Sequence, residues 1–143
     1  MKFQLIIDPE REEEIVVFAH EKSELVRRIE AISKEPLQDL LGYKEEEIRR
    51  LDPENVSCFF VEGGRVWAET ADGRYYLKER LYRLEEAFSD VFLKINQSCL
   101  VNVRKIKRFE STIGASLVVV LEGGHRDFVS RRQLKIVKER MGM

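Results

Sequence analysis

Arg131 and Arg132 stand directly after Ser130, at the head of a stretch in which Leu134, Val137 and Met141 recur at helical spacing. Ser130 is a natural N-cap, so both cations fall in the first turn of a helix predicted over residues 130–141. A cation there opposes the helix macrodipole and wants a compensating anion, which a phosphate would supply; the plain alternative is a surface arginine. Lys105, Lys107 and Arg108 form a second cationic group, suited to tracking phosphates or to a solvated strand edge. Other kinds of chemistry have little to work with. The two histidines, His20 and His125, adjoin no Ser or Cys nucleophile and match no metal-ligand spacing. No catalytic, metal or cofactor site and no small-molecule substrate is therefore expected, and His125 reads as a turn residue. Cys58 and Cys99 lie far apart without a CxxC or HxxxH partner, and read as reduced, buried thiols acting as small hydrophobes.

These groups need a frame, and the glycines outline it. Glu62-Gly63-Gly64-Arg65, Ala71-Asp72-Gly73-Arg74 and Glu122-Gly123-Gly124-His125 are each flanked by β-branched or aromatic runs, which is the signature of hairpins. The first two join predicted strands at 56–61, 66–70 and 74–77 into an antiparallel meander. The third joins strands at 116–121 and 126–129. Between them, Leu81, Leu84 and Phe88 give residues 78–88 a helical period. Phe59, Phe60 and Trp67 read as sheet-core residues. Asn102, inside an otherwise apolar strand, must find hydrogen-bond partners, so it reads as a structural amide bonded to a neighbouring loop. Ahead of Pro53 the signals are strands at 3–8 and 14–18 around an acidic turn, then a helix over 21–33 with Ser23 as N-cap. Residues 36–43 are mixed, and 44–52 read as a strand or extended connector.

The chain has 143 residues, 43% hydrophobic and 36% charged, enough for one compact core and a small extension. No apolar run approaches the roughly 18 to 20 residues of a membrane span, and the first residues lack a signal-peptide stretch, so a cytoplasmic location is expected. The net charge of −1 argues against a nucleic-acid partner when taken alone. Its distribution argues otherwise: residues 1–64 hold nine Lys and Arg against sixteen Asp and Glu, a net −7, while residues 65–143 hold sixteen against ten, a net +6. An acidic front and a basic back point to an anionic partner for the back half, or to a solvated mixture of surface charge.

The stretch Phe92-Leu93-Lys94-Ile95-Asn96-Gln97-Ser98-Cys99-Leu100-Val101-Asn102-Val103-Arg104-Lys105-Ile106, followed by Val129-Ser130-Arg131-Arg132, resembles the LytTR DNA-binding domain of bacterial transcriptional regulators. The Thr70-Ala71-Asp72-Gly73-Arg74-Tyr75-Tyr76 turn and the Leu81-Tyr82-Arg83-Leu84-Glu85 helix fit the same pattern. The match extends over residues 54–143. The resemblance implies an α+β, mainly β fold: an elongated antiparallel β-sheet domain with flanking helices. It implies double-stranded DNA as partner, read by loops in successive major grooves. Carried over by motif, the contacting positions are Arg65 beside the glycine turn, Lys94, Asn96 and Gln97 in the polar loop, and Arg131 and Arg132 at the last helix start. Lys105 and Lys107 are added as phosphate contacts. Asn and Gln pair with adenine N6 and N7, and Arg with guanine O6 and N7, so the Asn96-Gln97 pair suggests an A·T contact; a polar turn between strands is the alternative.

Residues 1–53 are too short for a phosphoacceptor receiver domain, so the resemblance is to stand-alone members with a strand-strand-helix extension. That extension is expected to hold a second copy of the chain in a homodimer or to meet a membrane-bound or other regulatory protein. The competing reading is a protein-binding regulatory module whose acidic N-terminal half is the functional surface.

Overall fold

A computed structural model describes residues 1–33, 40–114 and 116–143. The chain divides into two compact units, Met1–Glu35 and Pro36–Met143. In the first, helix α1 spans Glu24–Ser33, and the Ser23 hydroxyl accepts the Val26 N–H at 3.3 Å as the expected N-cap. None of its residues is buried. The strands predicted at 3–8 and 14–18 do not form. Ile and Val favour strands only where a neighbouring strand covers them, and a lone two-stranded hairpin is marginal in water.

The second unit begins with a hairpin, β1 (Leu41–Lys44) and β2 (Glu47–Arg50), turned at Glu45 with φ 52°. This corrects the reading of 44–52 as one strand or connector; of the mixed stretch 36–43, residues 36–39 lie outside the described residues. β1 pairs with the main sheet through Tyr43 opposite Tyr76, and Leu40 and Leu51 are buried with Val56 in one core. The compact unit thus starts ahead of the boundary expected at residue 53. Its outermost strand, β2, is exposed along its whole length.

Beyond Pro53 the strands fall where the glycine turns put them. They are β3 (Val56–Glu62), β4 (Arg65–Thr70), β5 (Gly73–Leu77), β6 (Phe92–Asn96) and β7 (Cys99–Asn102). Helix α2 (Leu81–Ala87) lies between β5 and β6. With the first hairpin these strands make a seven-stranded antiparallel sheet in the order β2-β1-β5-β4-β3-β7-β6. A second sheet of β8 (Ile106–Ser111), β9 (Leu117–Leu121) and β10 (Arg126–Val129) precedes the last helix, α3 (Arg131–Met141). The architecture is mainly antiparallel β with helices at its flanks, as expected.

Alternation along β3, reset by a register shift between Val56 and Cys58, explains the layering, because successive side chains point to opposite faces of a sheet. Val56 and Phe59 join Leu77, Leu84, Phe92 and Leu100 in a core that includes α2. Cys58 and Phe60 join Ile95, Val101, Val119, Leu121, Val129 and Val137 in a second core, under the three-stranded sheet and α3. The buried run Val56–Phe60, apolar but for Ser57, follows from burial on both faces. Trp67 packs against the second core, and its indole N–H donates to the Glu62 carbonyl at 3.1 Å. Asn102 is fully buried. Its amide donates to the carbonyls of Glu54 and Val56 at 3.2 and 3.0 Å, and its side-chain oxygen accepts the Arg104 N–H at 3.0 Å, the structural role its setting required.

Both cysteines are buried and free. His125 does close the β9–β10 turn, but its ring also packs on Phe60, centroids 5.1 Å apart. Cys58 is held down to about 7, first by its hydrogen bond with Cys99 and further by His125, against the opposing effect of burial. Cys99 is pushed up by the same Cys58 contact and by burial, and His125 is raised chiefly by its hydrogen bond to Cys58.

Candidate nucleic-acid interface

Two tight turns carry the first group of polar residues. Gly63 and Gly64 adopt φ of 61° and 74°, the left-handed pair that a two-residue hairpin turn requires. The next residue, Arg65, is exposed, and its guanidinium lies 4.9 Å from the centre of the Tyr76 ring. Gln97 and Ser98 form the other turn, between Asn96 and its register partner Cys99. Gln97 is exposed there. The Val61 N–H donates to the Ser98 carbonyl at 2.9 Å, so this turn lies alongside the end of β3 that leads into Gly63.

Asn96 is placed differently. It is buried, 4% exposed. Its amide donates to the Asp127 carboxylate at 3.1 Å and the Phe128 carbonyl at 2.9 Å, while its side-chain oxygen accepts the Ser98 N–H at 2.8 Å. An amide so engaged shapes the Gln97 turn and ties it to β10. No side-chain edge of Asn96 is turned outward for a ligand, and its neighbour Gln97 is the exposed member of the pair.

The start of α3 is brought to the same strand. The Ser130 N–H donates to the Ile95 carbonyl at 2.8 Å, within two residues of Gln97. Ser130 occupies the N-cap position, but its hydroxyl makes no capping bond; its carbonyl accepts the Gln133 N–H at 3.1 Å. Arg131 and Arg132 are exposed in the first turn, where no acidic side chain offsets the macrodipole. The rest of the helix is anchored through Leu134, Val137 and Met141 in the second core, and by Arg140, which donates to the Asp90 carbonyl at 3.0 Å.

Ion pairing sorts the cations. Arg74 is bound to Glu62 and Glu69, and Arg108 and Arg126 share Glu110, which holds the Glu110 carboxyl below its ordinary value. Arg108, one of the residues suited by sequence to phosphate, is thus engaged within its own sheet. No ion pair among the described residues takes up Arg65, Lys94, Lys105, Lys107, Arg131 or Arg132. Lys94 is half-buried on β6, opposite Leu100. Lys105 and Lys107 are not brought to α3. The Glu122 N–H donates to the Lys105 carbonyl at 2.9 Å, at the β9–β10 turn, whereas α3 leaves the far end of β10, roughly 13 Å along a strand rising 3.4 Å per residue. Lys135, one turn beyond Arg131 on the same face, is exposed and was not singled out by motif; the i, i+4 spacing was its signal.

The polar turn, the buried amide behind it and the arginine helix start define a β-rich domain that presents cations from turns and a helix terminus. Comparison with known proteins gives its family. The LytTr DNA-binding domain family model matches residues 46–142. Transcriptional regulators named as HTH-type from Staphylococcus aureus strains NCTC 8325 and COL are each 33% identical over 104 residues, covering 73% of this chain and 71% of theirs. A solved LytTr DNA-binding domain from Bacillus cereus superposes with a TM-score of 0.69 at 16% identity, covering 75% of this chain and all of that one. The chain belongs to the LytTR family. That is a family of DNA-binding domains rather than of enzymes. No helix among the described residues is long and apolar enough to cross a membrane.

Proposed function

We propose that this chain binds double-stranded DNA sequence-specifically and regulates bacterial transcription, reading the major groove with the Gln97 turn and the start of α3. The observation that carries this reading is the Ser130–Ile95 bond. It anchors the start of α3, whose two arginines have no acidic partner among the described residues, to the strand that leads into the exposed Gln97. Gln97 matches the adenine N6 and N7 edge, and Arg131 or Arg132 matches guanine O6 and N7. Arg65, Lys94, Lys105 and Lys107 meet phosphates and fix register. Asn96 acts from behind, by shaping the turn.

The test is selection of bound fragments from random duplex DNA by the full chain, followed by affinity measurements on the selected site at two salt concentrations. The expected result is a defined motif, affinity that falls steeply with salt, and loss of discrimination at one A·T pair in Gln97→Ala. Absence of any enriched motif, with salt-insensitive retention, would overturn the reading.

The acidic extension is read as the surface for a second copy of the chain. Phe3, Ile6, Ile7, Val16 and Phe18 are exposed in the Met1–Glu35 unit, and α1 buries none of its residues. Apolar side chains left exposed in this number favour association.

A further inference from the structure

Cys58 sits on β3, Cys99 at the start of β7, and His125 in the turn ahead of β10. Three elements from two sheets converge here. The two sulfurs and a ring nitrogen of His125 all lie within 4.8 Å of one another. We propose that Cys58, Cys99 and His125 form a binding site for a zinc-class divalent cation that joins the seven-stranded sheet to the three-stranded one.

The donor set is the first argument. Two thiolates and an imidazole are the ligands zinc takes in structural sites. A tetrahedral ion with bonds of about 2.3 Å to sulfur and 2.0 to 2.1 Å to nitrogen holds its ligand atoms roughly 3.5 to 3.8 Å apart. The present spacing, within 4.8 Å, exceeds that value by about 1 Å at most. Asp127 lies beside Cys99 on the same hairpin as His125. Its carboxylate accepts from the Asn96 amide at 3.1 Å and from the Phe128 N–H at 2.8 Å, so it is fixed as a fourth ligand or as the group that orients one. The thiols are fully buried, while His125 is half-buried and leaves an entry path for the ion.

The strand register argues against the simplest competitor, a disulfide. Cys58 pairs with Val101, and Cys99 pairs with Phe60. The cysteines are therefore diagonal neighbours, with Cα atoms about 7 to 8 Å apart. A disulfide cannot span more than about 7 Å without backbone movement. A bridging ion has the longer reach that this diagonal needs.

The test uses the full chain, reduced and stripped with a chelator, then titrated with Co²⁺ and back-titrated with Zn²⁺. The expected result is one Co²⁺ per chain, with a sulfur-to-cobalt charge-transfer band and the intense visible band of a tetrahedral site, both removed by Zn²⁺. Cys58→Ala and His125→Gln should each abolish the charge-transfer band or weaken uptake by at least about tenfold. His125 is in a turn, so its variant decides the matter should Cys58→Ala fail to fold. No sulfur-to-cobalt band, or a band and an affinity both undiminished in His125→Gln, overturns the proposal. So does an intact mass short of two hydrogens in the unreduced chain, with no Co²⁺ uptake after reduction.

Discussion

The side chains of Asn96 and Asp127 are joined by a 3.1 Å hydrogen bond across two sheets. Asn96 ends β6 and Asp127 lies within β10, so the bond couples the Gln97 turn to the strand that delivers α3. Removing it leaves polar partners in a largely closed space, which costs about 1 to 3 kcal/mol. Asn96→Ala is therefore expected to lower stability by that amount in urea unfolding. Gln97→Ala, at an exposed turn position, should leave stability within about 0.5 kcal/mol of the parent. Equal stability of parent and Asn96→Ala would contradict the structural role.

Contacts that specify sequence and contacts that only position the protein respond differently to mutation. Arg132→Ala is expected to cost about 1 to 3 kcal/mol on the selected site and to relax preference at one base pair. Lys107→Ala should weaken binding to all sequences alike and make the slope of log affinity against log salt shallower by roughly one unit. Titration of each variant against the selected site and its single-base changes separates the two. An Arg132→Ala variant that loses specific and non-specific affinity by the same factor would make this arginine a phosphate clamp.

Glu110 contributes a pH dependence whose sign follows from its partners. Its hydrogen bonds with Arg108 and Arg126 lower its carboxyl in the folded chain from the ordinary 4.5. A carboxyl depressed on folding contributes stability that is present above the unfolded value and lost as pH falls through the folded one. The window therefore lies below about pH 4.5. Glu110→Gln should flatten the acid limb of the stability curve there by lowering the neutral plateau slightly, a small loss because solvent screens the group. A steeper acid limb in the variant would reverse the assignment.

The extension should promote self-association. Sedimentation of the full chain is expected to show a concentration-dependent dimer, and a chain lacking residues 1–33 should lose it while binding a two-site duplex less well than a single site would suggest. A full chain that stays monomeric at every concentration, with two-site binding unchanged by the deletion, would remove the dimerisation reading.

How far the sequence reveals all this depends on whether a signal is local. The β3–β4 and β9–β10 hairpins were legible because paired glycines announce left-handed turns. The β1–β2 hairpin was not, since Glu45 makes its turn inside a run of charges with no glycine to mark it. Residues 3–8 and 14–18 carry strand composition but no sheet to join. At the site, the helix start at Ser130 was readable from its cap and period. That Asn96 faces inward was not, because what buries it is β10, thirty residues away, and two neighbouring amides look alike until the strand behind one of them is known. The same limit hid the approach of His125 to the cysteines.

The two edges of the large sheet face different hazards. β6 is covered, since Ile95 gives its carbonyl to Ser130 and the amide of Asn96 is spent on β10. β2 is exposed along its length and pairs on one side only among the described residues, so its outer side presents a row of backbone donors and acceptors onto which another chain could add. Only Ile48 there is a large apolar residue; Glu47, Arg49 and Arg50 flank it, with Arg49 clasped to Glu47 at 2.8 Å and to Asp72 at 2.9 Å. A strand of four residues with charge at three of them is a poor template for fibril growth. The protection of the large sheet against edge-to-edge aggregation therefore rests on its least buried strand.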